Sequence, residues 1–130
     1  MKAESKINTI DTQEHRNRLL ATLTTHIGLT NAIGMAALFK AVFGREWKNR
    51  INDTRAVRRL VTIMREEGVP ICSVSDGNGG GYYLASAGSE LNDYLRRREI
   101  RALKILAMNA RIKRKTLPEY LGQMRLNMGA

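Results

Sequence analysis

Residues Thr54–Val74 read TRAVRRLVTIMREEGVPICSV, and Gly79–Ser86 follow as GGGYYLAS. In the first stretch Val57, Leu60, Val61 and Met64 stand at i, i+3, i+4 and i+7, which lines them up on one face of a helix. Arg55, Arg58, Arg59, Thr62, Arg65 and Glu66 take the remaining positions. Asn52 or Asp53 is placed to cap the start, and Gly68 with Pro70 two residues on is placed to stop the helix. Val69–Ser75 then reads as a strand. Asp76–Gly81 (DGNGGG) reads as a turn whose glycines permit positive φ. Gly81–Ser86 reads as the returning strand, with Tyr82 and Leu84 on one side. A helix running directly into a hairpin is the pattern on which the fold turns.

Working outward, Leu19, Leu20, Leu23 and Ile27 recur at helical spacing and predict a first helix from Thr12 to His26, stopped near Gly28. Thr30–Ile33 reads as a short strand. Met35, Leu38, Phe39, Val42 and Phe43 predict a second helix ending at Gly44. Arg45–Ile51 is basic, contains the single tryptophan Trp47 and has no evident period. Beyond the hairpin Ser89 can cap a fourth helix, sustained by Leu91, Leu95, Leu103, Leu106 and Ile112 as far as Lys115. Pro118 breaks it, and Glu119–Asn127 reads as a short last helix. The expected organisation is a flexible lead over residues 1–11, one domain over 12–87 and a basic amphipathic helical extension over 88–130. The expected class is α+β, mainly α, with a three-helix core, a hairpin and an added C-terminal helix.

The order helix, short strand, helix, helix, strand, glycine turn, strand resembles the winged helix-turn-helix domain. Thr54–Val74 and Gly79–Ser86 look like the DNA-binding domain of the biotin repressor and of related prokaryotic and phage winged-helix regulators. Those families carry a helix of the type "xRxxVxxxIxxLRxxG" before a strand and a "GxGYxL" hairpin. Val57, Leu60 and Met64 would fill the core of that helix, and Gly81, Tyr82 and Leu84 would supply the "GYxL" strand. The likeness spans roughly His15–Ser86. It departs at Gly44–Asn52, where about nine residues stand in place of the usual 3–4-residue turn. The resemblance implies that Thr54, Arg55, Arg58, Arg59 and Thr62 form a recognition-helix face. It also implies that Asn78, Gly79 and Gly80 of the wing meet DNA phosphates. Lys48 and Arg50 would touch the backbone from the flanking loop. The chemistry suits that role, since arginine can donate two hydrogen bonds to guanine in the major groove and backbone N–H groups can meet phosphates.

Charge supports an anionic partner. Among 130 residues 22 Lys and Arg face 12 Asp and Glu, a formal excess of +10. Between Arg96 and Lys115 there are nine basic residues and a single acid, Glu99. This leucine-striped run fits a dimerisation helix, a backbone-binding arm or a membrane-surface helix. A homodimer through it is the expectation. No apolar stretch approaches the ~20 residues of a membrane span, so a membrane is not among the expected partners. Residues 1–11 show no secretory pattern, and Cys72 has no second cysteine to pair with, which suits a reducing cytoplasm.

Catalytic patterns are not legible. His15 and His26 lie eleven residues apart beside no nucleophile, and no GxxxxGK[ST] occurs. A protein without enzymatic activity, cofactor or metal is therefore expected. Its expected role is sequence-specific binding of double-stranded DNA in prokaryotic or phage transcription or replication control. The alternative is a protein-interaction module whose basic tail tethers it to RNA or to an assembly.

Overall fold

A computed structural model describes residues 11–76 and 79–129. It contains helices α1 (Gln13–Leu23), α2 (Met35–Phe43), α3 (Arg50–Glu66), α4 (Gly88–Ile112) and α5 (Leu117–Asn127). Strands β1 (Ile33–Gly34), β2 (Ile71–Asp76) and β3 (Gly79–Leu84) form one small antiparallel sheet. The class is α+β and mainly helical. The chain divides after Leu91 into two compact units, so the boundary falls inside α4. No helix among the described residues is long and apolar enough to cross a membrane.

In the first unit, local chemistry sets the ends of the helices. Thr12 caps α1 by accepting the His15 amide at 3.1 Å, and Glu14 follows in the first turn, where negative charge suits the dipole. The helix stops at Leu23, short of His26. Thr24 and Thr25 turn their hydroxyls back onto the carbonyls of Ala21 and Thr22, a local alternative to further helix. Leu19 and Leu23 face inward, whereas Leu20 and Ile27 of the expected stripe are exposed. The expected strand at Thr30–Ile33 is instead a 3-10 turn, Leu29–Asn31, followed by the two-residue β1. α2 ends at Gly44, whose φ of 72° is the left-handed C-cap that glycine adopts without a side-chain clash.

The core gathers Leu19 and Leu23 of α1, Leu38, Phe39 and Val42 of α2, and Val57, Leu60, Val61 and Met64 of α3. Ile33, Ile71 and Tyr82 add the sheet, and Trp47 packs against the cluster from the loop before α3. The i, i+3, i+4, i+7 face of α3 thus points where its spacing requires, which leaves the opposite face to solvent.

The sheet order is β1-β3-β2, so the last strand in the chain is central. Ile33 lies opposite Tyr82 and Gly34 opposite Gly81, while the hairpin runs from Ile71 opposite Leu84 to Asp76 opposite Gly79. This hairpin is longer than the sequence suggests. Gly79, Gly80 and Gly81 belong to β3 rather than to a turn, and neither Gly80 nor Gly81 has a positive φ. At Gly81 the reason for glycine is proximity. An added Cβ would sit 2.6 Å from the Ile33 carbonyl oxygen, so β1 can approach β3 only over a residue without a side chain.

The second unit comprises the rest of α4, from Asn92, and α5. α5 begins two residues earlier than expected. Thr116 and Glu119 form a reciprocal capping box, and Pro118 sits in the first turn, where its missing N–H costs nothing.

Candidate nucleic-acid interface

The solvent-facing side of α3 is held in place at its beginning. Asn49, not Asn52 or Asp53, is the N-cap, and its side-chain oxygen accepts the Asn52 amide at 3.1 Å. Asp53 lies one turn inside and reaches back, accepting the amides of Lys48 at 2.8 Å and Asn49 at 3.2 Å. These bonds, the Lys48 amide foremost, hold its carboxyl below the usual carboxylate range; the Arg45 guanidinium adds to the effect. Arg45 also lies over the Phe39 ring at 4.9 Å and so ties the loop to α2. The connection between α2 and α3 is therefore the six residues 44–49 rather than nine, because α3 starts at Arg50.

Arg55, Arg58, Arg59 and Thr62 are all exposed on the side of α3 away from Val57, Leu60 and Met64. Lys48 and Arg50 are exposed at its N-terminal end. Thr54 is placed differently. It is only 9% exposed, and its hydroxyl donates to the carbonyls of Arg50 and Ile51, so its side chain belongs to the packed side. The Thr62 hydroxyl likewise donates to the Arg58 carbonyl, at 2.9 Å, although the residue is exposed.

Gly79 and Gly80, expected at a loop tip, are paired in the ladder with Asp76 and Ser75. β1 covers β3 only at Gly81 and Tyr82, so the outer edge of β3 at Gly79–Gly80 is unpaired among the described residues. Asn78 lies outside the described residues.

The described cations of the first unit fall into two sets. Arg16 pairs with Asp11 and Glu67, Arg18 with Glu14, Lys40 with Glu46 and Arg45 with Asp53. Arg65 is half-buried and donates to the Ile71 carbonyl at 2.8 Å. By contrast, no ion pair or side-chain hydrogen bond among the described residues engages the charged ends of Lys48, Arg50, Arg55, Arg58 or Arg59. Within this second set Arg59 stands apart, because the Asp11 carboxylate is near enough to feel its charge. Asp11 itself is held below the ordinary carboxylate range, chiefly by its hydrogen bond from Arg16.

Sequence reasoning missed Ile51. It is 65% exposed, one turn before Arg55 and two before Arg58, so an apolar side chain stands among cations on the outward side. Its position before the presumed start of the helix concealed it; with the cap at Asn49, helical spacing places it. Among the described residues no three His, Cys, Asp or Glu side chains gather as a metal site, and Cys72 is buried. Comparison with protein-family models, with curated proteins and with solved structures finds no match.

Proposed function

We propose that this chain binds double-stranded DNA as a winged helix, with α3 in the major groove, and acts as a prokaryotic or phage regulator of transcription or replication. The partition of cations carries the reading. Among the described residues of the first unit, the basic side chains away from the α3 face are tied to acids or to a carbonyl, whereas Lys48, Arg50, Arg55, Arg58 and Arg59 have no ion pair or side-chain hydrogen bond there. Like charges left together on one helix repel, and a polyanion relieves that repulsion while releasing its own counterions. An α-helix fits the major groove, where Arg55 and Arg58 have the length and the paired donors to read guanine. Ile51 offers an apolar contact of the kind a thymine methyl accepts. The open edge of β3 at Gly79–Gly80 presents backbone groups to a phosphate, in keeping with a hairpin wing. This assignment needs no cofactor.

Selection of bound duplexes from a random pool, followed by titration against salt, tests the proposal. Neutralising about five phosphates predicts that log affinity falls against log salt with a slope of about −4.5. Enrichment of a sequence with that slope is the expected outcome. An affinity indifferent to salt, with nothing enriched, overturns the reading and favours a protein partner on the same face.

A further inference from the structure

The cationic excess is concentrated away from the α3 face. Residues 92–130 hold ten of the 22 basic residues but only three of the 12 acids. From Arg101 to Lys115 there are six basic residues and no acid, and no ion pair among the described residues engages any of the six. The same stretch exposes large apolar side chains. Ile105 is 58% exposed, Met108 52% and Ile112 75%, and Ile100 and Leu103 are also open to solvent. Ile105, Met108 and Ile112 follow i, i+3, i+7 spacing, a stripe distinct from the one formed by Leu95, Leu103 and Leu106. At 100° per residue the exposed apolar positions sweep an arc of roughly 200°, and Arg101, Lys104 and Arg111 fall inside it.

We infer that this part of α4 lies on an anionic lipid surface. Four occupants compete for it, and the interleaving of charge decides among them. A second copy would set Arg101, Lys104 and Arg111 against their own kind, with no acid in the stretch to complement them across a helix pair. A nucleic acid would satisfy the cations, but its occasional thymine methyl can cover a single side chain such as Ile51 and not an arc of five, most of which would stay in water. A dry protein groove following the same arc would bury cations within it, which is costly unless each meets an acid there. A lipid interface accommodates both kinds of side chain. The apolar ones enter the acyl boundary, and the long basic stems extend along the helix to reach headgroup phosphates. Lys113, Arg114 and Lys115 add charge where the helix ends, within the range of an anionic surface. The inference is independent of the DNA reading, since it uses no residue of α3.

Co-sedimentation of the full chain with vesicles tests it. One set mixes phosphatidylglycerol with phosphatidylcholine at about one to two, and the other is phosphatidylcholine alone. Partition to the mixed vesicles only, weakened by added salt, is expected. The triple variant Ile105→Gln, Met108→Gln, Ile112→Gln keeps strong helix formers at exposed positions, and circular dichroism checks its fold. It is expected to partition at least about tenfold less. Equal partition to both vesicles, partition to neither, or undiminished partition by the triple variant overturns the inference. Light scattering that shows a stable dimer, dissolved by the triple substitution, with no vesicle binding would assign the stripe to a second copy instead.

Discussion

Arg55 and Arg58 carry guanidinium groups that no acid in the described fold engages, so the binding role proposed for them can be tested apart from folding. Arg55→Ala and Arg58→Ala are each expected to change unfolding free energy by less than about 0.5 kcal/mol, as exposed substitutions do. Duplex affinity should fall by about 1–3 kcal/mol, with relaxed preference at one base pair if the lost contact was bidentate to guanine. Arg59 should matter less, because Asp11 offsets part of its field. Affinities for a selected and a scrambled duplex, with thermal melts alongside, make the comparison. Variants that bind both duplexes like the parent would remove α3 as the reading element.

Gly81 is the opposite kind of residue, important to folding through the absence of a side chain. Gly81→Ala forces a methyl group to 2.6 Å from a carbonyl of β1 and is expected to cost about 1–3 kcal/mol, as overpacking does. Gly80→Ala meets the Val74 carbonyl at 3.3 Å and should cost less. Chemical denaturation of the two variants ranks them, and equal stability would mean that β1 yields without cost.

At the scale of the element, the start of α3 depends on one ionised carboxylate. The Asp53 carboxyl is held below its ordinary value by amides it binds only in the folded state. Its contribution to stability is therefore present above the unfolded pKa, about 4, and is lost as pH falls through the lower folded value. Asp53→Asn retains an acceptor without the titration. The melting temperature of the variant should accordingly vary less with pH on the acid side than that of the parent. Parallel curves would show that Asp53 does not couple to folding. In α5 the informative residue is Gly122, which is exposed and has open space where a Cβ would go. Gly122→Ala should raise helix content, with a gain of up to about 1 kcal/mol for an interior helical position; circular dichroism reads it.

At the scale of the molecule, the first unit includes a small part of α4 for a physical reason. Glu90 accepts the amide of Ser86 at 2.8 Å and that of Leu29 at 3.2 Å, holding the end of the sheet to the 3-10 turn. A chain ending at Leu91 keeps these bonds, whereas one ending at Ser86 lacks them. Residues 1–91 are expected to unfold in one cooperative transition and to retain discrimination between selected and scrambled duplexes. A fragment ending at Ser86 should melt lower. Loss of discrimination in the longer fragment would show that the C-terminal unit takes part in reading DNA.

The sequence by itself determined the mainly helical α+β class, the inward face of α3 and the hairpin after it. These depend on local periodicity, on Gly68 and Pro70 as a stop, and on alternation along the strands. It also determined that Arg55, Arg58 and Arg59 would face solvent, since Val57, Leu60 and Met64 take the opposite side. The tertiary structure decided what depends on contacts distant along the chain. Sheet order, the need for glycine at Gly81 and the position of β1 follow from an approach between residues 33 and 81, which no local pattern records. The cap at Asn49, beside the loop amides that Asp53 accepts, brings Ile51 inside the helix and onto its exposed face, whereas Thr54, three residues before Val57, lies on the packed side by helical spacing. The division of the cations into engaged and unengaged sets was also beyond the sequence. Charge can be counted along a chain, but whether an arginine has met an acid depends on which residues folding brings together, as it brings Arg16 to Glu67.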